Sequence, residues 1–311
     1  MQGTDTDNAG ETAAPLSAPP DKPQGIFASI KEWAEMIKIE HTVFALPFAL
    51  SGMILGAKNI PEPMTWFWTI LAFAGARSAA MTLNRLIDAG IDATNPRTSM
   101  RSIPAGKISP GLALVFAIAS FGLMIFAATK LPPLCLMLSP IAVFWLSFYS
   151  FTKRFTWMCH IVLGIALGGA ALGGWIAAGG SLDQYGPWLL AGAVSTWVAG
   201  FDLIYALQDV DFDRGKKLHS IPARFGIESA LMVSGGLHLL TVCCLMLLGC
   251  SLDLGPVYYC GVTMVAIMLK YEHSLVKPND LSKINAAFFN TNGIVSIATF
   301  IAVLVDKVWK F

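Results

Sequence analysis

Residues 111–129 read GLALVFAIASFGLMIFAAT, and residues 132–151 read PPLCLMLSPIAVFWLSFYSF. Neither stretch contains a charged side chain, and each is close to the roughly 20 apolar residues that a helix needs to cross a membrane. Only Lys130 and Leu131 separate them, and the prolines at 132 and 133 break the helix at this point. The pair therefore predicts two consecutive transmembrane helices.

Apolar runs of the same kind continue in both directions along the chain. They cover residues 42–57, 65–83, 111–129, 132–151, 155–178, 187–207, 228–250, 255–269 and 286–305. Several separators are strong helix breakers, namely Pro61-Glu62-Pro63, Pro132-Pro133, Gly179-Gly180 and Gly255-Pro256. The pattern predicts an all-α polytopic membrane protein with nine transmembrane helices, which places the two ends of the chain on opposite sides of the bilayer.

The composition agrees with residence in a lipid bilayer. Of the 311 residues, 55% are hydrophobic and only 13% are charged, whereas soluble domains contain about 25% charged residues. A formal net charge of +1 excludes a nucleic-acid-binding protein, which needs a basic surface. Six cysteines are too few for a disulfide scaffold. Cys243, Cys244, Cys250 and Cys260 are expected to be inert apolar side chains.

The N-terminal region differs from the rest of the chain. Residues 1–24 are polar, rich in Pro, Ala, Asp and Thr, and without periodicity, which predicts a disordered tail. They also lack the basic and apolar blocks of a signal peptide. Residues 26–40 place Ile26, Ile30, Trp33, Met36 and Ile37 on one stripe, which is typical of a helix lying in the membrane interface.

Basic residues are distributed very unevenly between the two sides of the predicted bundle. Sixteen of the 21 Lys and Arg residues lie in the N-terminal segment or in the loops after the second, fourth, sixth and eighth runs, and four lie on the other side. Cytoplasmic loops carry such an excess of positive charge. We therefore expect these loops to face the cytoplasm.

Two sets of polar residues end the second and sixth runs, and an even number of crossings places both on the cytoplasmic side. The first set is Asn84, Asp88 and Asp92, and its helical face continues into the membrane through Arg77 and Met81. The second set is Asp202, Tyr205, Asp209 and Asp213. Arg77 and Asp202 lie within apolar spans, where ionisable side chains are costly and mark function.

This arrangement suggests a metal–diphosphate site. Carboxylates gathered at one end of a bundle repel one another, and a hard cation such as Mg²⁺ relieves the repulsion while also binding phosphate oxygens. Basic residues that suit phosphate oxygens follow both sets or lie in the loop between them: Arg97, Arg101, Lys153, Arg154, Lys216 and Lys217. An anionic diphosphate with an apolar tail is the ligand that this pattern favours.

Other residue types carry less information. The five histidines have no ligand spacing, and His160 and His238 are expected to be packed or capped rather than bound to metal. Glycines at 164, 168, 169, 173 and 174 in the fifth run are expected to allow close helix packing, and they could also leave room for a lipid tail.

At these residues the chain resembles the UbiA-type intramembrane aromatic prenyltransferases, over roughly residues 30–305. The resemblance rests on NRLIDAGID (84–92) with NPRTSMR (95–101), on YSFTKR (149–154), and on YALQDVDFD (205–213) with SIPARFG (220–226). Arg85 departs from the many members that carry Asp after the Asn. With Ile87 and Asp88 it is similar to the bacterial 4-hydroxybenzoate polyprenyltransferase branch, which serves ubiquinone synthesis and the futalosine route to menaquinone.

The resemblance implies one transmembrane domain over residues 25–311, with nine helices around a central cavity and a cytosolic cap over the active site. It implies Mg²⁺-dependent transfer of a polyprenyl group from polyprenyl diphosphate to an aromatic carboxylate acceptor, 4-hydroxybenzoate. In this view the metal and diphosphate are held by Asn84, Asp88, Asp92, Asp209 and Asp213. The diphosphate oxygens contact Arg97, Arg101, Lys153 and Lys217, and Arg77 pairs with the acceptor carboxylate.

Two further roles and two alternatives complete the interpretation. The rings of Tyr149 and Tyr205 are candidates for holding a carbocation, and Asp202 or Asp209 is a candidate for taking a proton from the acceptor. The same chemistry on another acceptor (a futalosine-route intermediate, a naphthoate, a haem vinyl group or a chlorin) stays open. A non-enzymatic alternative is a transporter, although its polar site would normally lie near the midplane.

Overall fold

The computed structural model describes residues 25–38 and 42–309, and the predicted tail at 1–24 lies outside this part of the chain. Apart from an isolated bridge between Lys277 and Asp280, the described residues form helices and turns. The helices are α1 (Ile26–Met36), α2 (Thr42–Gly56), α3 (Pro63–Asp92), α4 (Pro110–Ala128), α5 (Pro133–Thr152), α6 (Cys159–Ala177), α7 (Tyr185–Ala206), α8 (Val210–Gly215), α9 (Ile221–Phe225), α10 (Ile227–Leu252), α11 (Pro256–Leu275), α12 (Ile284–Ala286) and α13 (Asn292–Val308).

Six of these segments are long and apolar enough to cross a membrane, so the chain is a multi-pass membrane protein. They are Pro110–Ala128, Pro133–Thr152, Cys159–Ala177, Tyr185–Gly215, Ile227–Leu252 and Ile284–Val308. Three other helices also coincide with predicted runs. Of these, α2 has only 15 residues, and both α3 and α11 contain charged side chains.

Helix boundaries follow the breakers in the sequence. Pro63, Pro110, Pro133 and Pro256 each occupy the first turn of a helix, where the missing N–H of proline costs no hydrogen bond. At the other end of α6, Gly179 adopts a positive φ of 79°, which glycine tolerates without steric strain. These residues explain why the predicted runs and the observed helices match closely.

The helix α1 differs from its predicted role. Only the exposed part of its apolar stripe, with Ile26 and Ile30, is free to meet lipid. Further along, the Trp33 indole donates a hydrogen bond to Thr82 in α3 (2.9 Å) and stacks on Phe116 in α4. Met36 and Ile37 are buried in the same cluster. Thus α1 is half anchored in the protein, because its last two turns pack on α3 and α4.

The tightest helix contacts use small residues in α6. A Cβ at Gly174 would collide with the backbone of Ala49 in α2, and one at Gly164 would collide with the backbone of Ser195 in α7. Gly168 is equally close to α7. By contrast, Gly169 and Gly173 face open space in the wall of a large cavity. Both expectations for these glycines therefore apply, each to a different face of α6.

A closed series of neighbours, α2, α6, α7, α10, α11 and α13, surrounds an apolar core that contains Trp197. The helices α3 and α5 pack beside α6, and α4 packs against α3 and α5. Between α3, α5, α6 and α7 lies a cavity of about 1150 Å³. The ends of α3, α5 and α7 meet at one end of this cavity, since Lys153 accepts a backbone hydrogen bond from His219 and Asn95 reaches Asp209.

Candidate active site

The two carboxylates of the first motif end α3 and are nearly inaccessible to solvent. Asp88 is 3% exposed and Asp92 is 5% exposed. Asp88 lies 2.6 Å from the Lys153 ammonium and 3.0 Å from the Arg154 guanidinium, and it accepts a hydrogen bond from Asn84 (3.3 Å). A buried carboxylate needs such partners because an isolated buried charge is very costly.

The loop after α3 carries the cations that reach the remaining carboxylates. Arg101 places one nitrogen 2.8 Å from both oxygens of Asp92. Arg97 binds both oxygens of Asp209 with its guanidinium fork, and Asn95 donates a third hydrogen bond to that carboxylate (3.2 Å). The first motif is therefore tied to the second by its own trailing loop, over more than 100 residues of sequence.

Arg97 also contacts an aromatic side chain, so charged and aromatic groups of the cavity meet at this residue. Its guanidinium donates to the Tyr205 hydroxyl (3.2 Å) and lies 5.5 Å from the centre of the Tyr205 ring. Burial alone lowers the pKa of Arg97, but the hydrogen bonds and charge of Asp209 outweigh burial and raise it above its ordinary value. The side chain therefore stays charged beside an aromatic face.

The second motif is less regular than its sequence suggests. The helix α7 ends at Ala206, and Leu207–Asp209 form a 3₁₀ turn before α8. Because a 3₁₀ turn has three residues rather than 3.6, the α-helical repeat is interrupted between Asp202 and Asp209, although both side chains line the cavity. Asp213 lies in α8 and accepts a hydrogen bond from Ser220 (3.0 Å).

The cavity collects all the candidate residues except one. Its lining includes Arg77, Asn84, Asp88, Asp92, Arg97, Arg101, Tyr149, Lys153, Asp202, Tyr205, Asp209 and Asp213. Lys217 is absent from this lining and is exposed, in a left-handed conformation with φ of 55°. The contact of Lys217 with diphosphate stays a prediction.

Below the carboxylates the cavity becomes mostly apolar. The Tyr149 hydroxyl donates a hydrogen bond to the backbone oxygen of Ala80 (3.4 Å). This bond holds the Tyr149 ring along the cavity wall. His160 Nδ1 lies 2.7 Å from Asp202 Oδ2. A set of aromatic rings continues from Tyr205, with Phe288 4.3 Å away and Phe289 next to it.

Sequence reasoning missed several residues of this cavity. Arg154, which the sequence had already suggested, contacts Asp88 together with Lys153 but lies outside the cavity lining. No sequence pattern indicated a role for Asn95, His160, Phe288 or Phe289, because single polar or aromatic residues at those positions have many possible roles. The two phenylalanines also lie within an irregular π-helical turn at Ala287–Thr291.

The donor set decides what kind of metal the site could hold. Among residues 25–38 and 42–309, no group of three or more His, Cys, Asp or Glu side chains could hold a metal on its own. Protein cations, rather than a metal, balance Asp88, Asp92 and Asp209. The oxygen donors of Asn84 and the four motif carboxylates fit Mg²⁺ that is shared with phosphate oxygens, since Mg²⁺ commonly uses only one or two carboxylates.

Comparison with known proteins places this geometry in a family. The model of the UbiA prenyltransferase family matches residues 45–294. A protein of Vibrio campbellii named 4-hydroxybenzoate octaprenyltransferase is 30% identical over 252 residues, which cover 79% of this chain and 87% of that protein. One of the same name from Photobacterium profundum is 29% identical over 261 residues, covering 83% and 88%.

Comparison with solved structures finds the same fold in proteins of this family. The apo structure of a UbiA homolog from Aeropyrum pernix K1 has a TM-score of 0.79 and 33% identity, and the match covers 86% of this chain and 98% of that one. A UbiA homolog from Archaeoglobus fulgidus bound to GPP and Mg²⁺ has a TM-score of 0.68 and 21% identity, covering 88% and 100%. With a family match over most of its length, this chain belongs to the UbiA prenyltransferase family.

Proposed function

We propose that this protein transfers a polyprenyl group from polyprenyl diphosphate to the ring of 4-hydroxybenzoate, in the synthesis of a respiratory quinone. The observation that carries the proposal is the division of one cavity into two parts. Carboxylates and cations line one end, and apolar and aromatic side chains line the rest. A diphosphate with a long apolar tail needs both parts, and the relatives named 4-hydroxybenzoate octaprenyltransferase favour this acceptor.

The charged end would bind the diphosphate. Asn84, Asp88, Asp92, Asp209 and Asp213 would hold Mg²⁺ together with the diphosphate, and the bound metal would neutralise negative charge on the leaving group. The side chains of Arg97, Arg101 and Lys153 would exchange their carboxylate partners for diphosphate oxygens. Because each cation already faces a carboxylate, arrival of metal and diphosphate together keeps the charges balanced.

The remaining residues would orient the reacting groups. The Tyr205 ring lies beside Arg97 and would face the allylic carbon as positive charge develops there, and Tyr149 would do so from α5. The guanidinium of Arg77, deeper along α3, would pair with the acceptor carboxylate. Exclusion of water by the apolar wall would protect the carbocation until the ring carbon next to the hydroxyl attacks it.

The same proposal covers the arrangement in the membrane. The helices α2, α3 and α11 would cross the bilayer with the six clear spans, which gives nine crossings in one domain over residues 25–311. The loops after α3, α5 and α7 would form a cap on the cytoplasmic side of a bacterial plasma membrane. The excess of Lys and Arg in these loops supports that orientation.

The test is product analysis with purified protein. Mass spectrometry should find prenylated 4-hydroxybenzoate when Mg²⁺, a polyprenyl diphosphate and several aromatic acids are offered together. Asp88→Asn should lower the rate by about 100-fold or more, as loss of a charge-stabilising contact does, while Asp183→Asn, an exposed acid outside the cavity lining, should retain the wild-type rate. A prenylated naphthoate as the main product would show the acceptor to be wrong.

A further inference from the structure

One arginine of the cavity wall has no ion-pair or hydrogen-bond partner in the part of the chain that the structure describes. Arg85 lies in α3 and lines the cavity. The other cations at the mouth are engaged, since Arg97, Arg101 and Lys153 each contact a carboxylate. From the sequence, Arg85 was noted only as a departure from the family pattern. In the structure it is a cation of the site without a counter-ion among the described residues.

The Arg85 guanidinium is open to the cavity rather than sealed inside the protein. Arg85 as a whole is partly exposed. Within the described chain, the fully buried side-chain nitrogen and oxygen atoms that lack a partner belong to Thr69, Ser150, His160 and Glu272. The nitrogens of Arg85 are not among these atoms, so they retain accessible surface. A ligand in the cavity can therefore reach this side chain.

Arg85 shares a helical face with the two carboxylates of the first motif. The helix α3 is continuous over Pro63–Asp92, and Asp88 and Asp92 follow Arg85 by three and seven residues. These spacings place the three side chains in one row along the helix. Arg85 therefore lies about one helical turn below Asp88, directly beneath the carboxylates at the mouth.

The charges around Arg85 favour an anion between its guanidinium and that of Arg101. Among the neighbouring charges, that of Arg101 acts most strongly on Arg85, ahead of those of Asp92 and Asp88. Arg101 contacts Asp92 through Nη1 alone among the described residues, which leaves its other N–H groups open. Two neighbouring guanidinium groups repel each other, and an anion that contacts both removes the repulsion.

A diphosphate suits this pair of arginines better than the carboxylate of an aromatic acceptor does. A guanidinium presents a planar fork of donors that matches phosphate oxygens, and a diphosphate has enough oxygens and charge for several cations. The acceptor has one carboxylate, for which Arg77 is already proposed. Arg77 precedes Arg85 by eight residues, which corresponds to roughly 12 Å along the axis of α3. The two arginines therefore lie at different depths of the cavity.

We propose that Arg85, together with Arg101, binds the diphosphate of the prenyl donor, an assignment that rests on the proposed function. Arg97 and Lys153 must leave a carboxylate before they contact phosphate oxygens. Arg85 has no such contact to give up within the described structure. It is therefore available to the donor from the start, and its charge adds to the charge that stabilises the leaving diphosphate.

The test measures donor binding and acceptor use separately in purified protein. Isothermal titration calorimetry with geranyl diphosphate and Mg²⁺, in the absence of acceptor, gives the Kd for the diphosphate. Arg85→Gln should raise this Kd by about tenfold or more, the cost of losing a hydrogen bond between charged groups. Arg85→Lys, which keeps the charge but loses the fork, should raise it less. The KM for 4-hydroxybenzoate at saturating donor should match the wild type in both variants.

Stability without ligand separates binding from a structural role. Because Arg85 has no hydrogen bond or ion pair among the described residues, Arg85→Gln should leave the unfolding temperature of the ligand-free protein unchanged or raise it. Arg101→Gln, which removes the partner of Asp92, should lower it. The control Arg224→Gln, at an exposed position outside the cavity lining, should retain the wild-type Kd and unfolding temperature.

Two results would overturn this assignment alone. One is an unchanged Kd for geranyl diphosphate in Arg85→Gln, and the other is a rise confined to the KM for 4-hydroxybenzoate, which would make Arg85 a contact of the acceptor. If Arg85→Gln does not fold, the Kd of Arg85→Lys decides in the same way. A wild-type protein that binds no geranyl diphosphate in the presence of Mg²⁺ would overturn the proposed function, and this assignment with it.

Discussion

Ion pairs at the cavity mouth each join side chains from different segments of the chain. Asp88 meets Lys153 and Arg154 from the end of α5, and Asp209 meets Arg97 from the loop after α3. Breaking a buried pair by removing one partner leaves an uncompensated charge, which is strongly destabilising. The same residues thus hold the mouth together without substrate and provide the contacts that a diphosphate would need.

The guanidinium of Arg97 gives the sharpest prediction at the residue level. Arg97→Lys keeps the charge but loses the forked contact with Asp209 and the contact with Tyr205, because an ammonium is a point charge. We expect the KM for polyprenyl diphosphate to rise by about tenfold, the cost of one charged hydrogen bond. Steady-state kinetics should show this.

A matched control for that change is available in the same region. Arg224→Lys alters an arginine that stacks on Phe225 outside the cavity lining, and its KM should match the wild type. An unchanged KM for Arg97→Lys would contradict a role of Arg97 in donor binding.

Among the helices, α6 has two different faces. Gly164, Gly168 and Gly174 allow α2 and α7 to approach, while Gly169 and Gly173 leave the cavity open. Helix packing in membranes depends on such small residues. The position of each glycine on the helix therefore separates a structural role from a role in accommodating the substrate tail.

We expect Gly169→Leu to shorten the longest prenyl chain that the enzyme accepts, because the new side chain extends into open cavity rather than into a neighbouring helix. Products from a mixture of polyprenyl diphosphates, separated by mass, should shift toward shorter tails. Gly122→Leu is the matched control, since Gly122 in α4 also has open space around it but lies outside the cavity lining. An unchanged product distribution for Gly169→Leu would argue against passage of the tail beside α6.

A buried network joins α7, α11 and α13 at the π-helical turn. Asn292 accepts a hydrogen bond from the Trp197 indole (2.8 Å) and donates to Glu272 and to the backbone of Phe288, both at 3.0 Å. Glu272 and Asn292 are essentially inaccessible to solvent. The network therefore fixes the segment that carries Phe288 and Phe289 against the core.

Asn292→Leu removes these hydrogen bonds while keeping most of the volume. The free energy of unfolding should fall by about 3 kcal/mol, since each of the three hydrogen bonds contributes about 1 kcal/mol. Thermal unfolding of the purified protein in detergent would measure the loss. Asn290→Leu, the same change two residues earlier at an exposed position, should leave the unfolding temperature close to that of the wild type.

For the whole molecule, the orientation in the membrane is the main prediction. In a variant without the six free cysteines, a cysteine at exposed Lys217 should react with a membrane-impermeant thiol reagent only from the cytoplasmic side. A cysteine at exposed Lys58 should react only from the opposite side, because the loop after α2 lies at the other end of the bundle. Labelling of both positions from one side would contradict the positive-inside orientation.

The sequence by itself determined where the long apolar helices lie along the chain and which residues form both motifs. Apolar runs and proline breakers act locally, through hydrogen bonding of the backbone in lipid and the missing N–H of proline, so they can be read without knowing what packs against them. The four-residue spacing of Asn84, Asp88 and Asp92 can also be interpreted from the sequence alone, because their position on one helical face depends only on the helical repeat.

Only the tertiary structure decided which of these residues meet. The 3₁₀ turn at Leu207–Asp209 interrupts the helix of the second motif, Lys217 lies outside the cavity lining, and Asn95 and His160 belong to it. Half of α1 is likewise buried by contacts with α3 and α4. Such outcomes depend on contacts between residues far apart in the chain, and local periodicity contains no information about them.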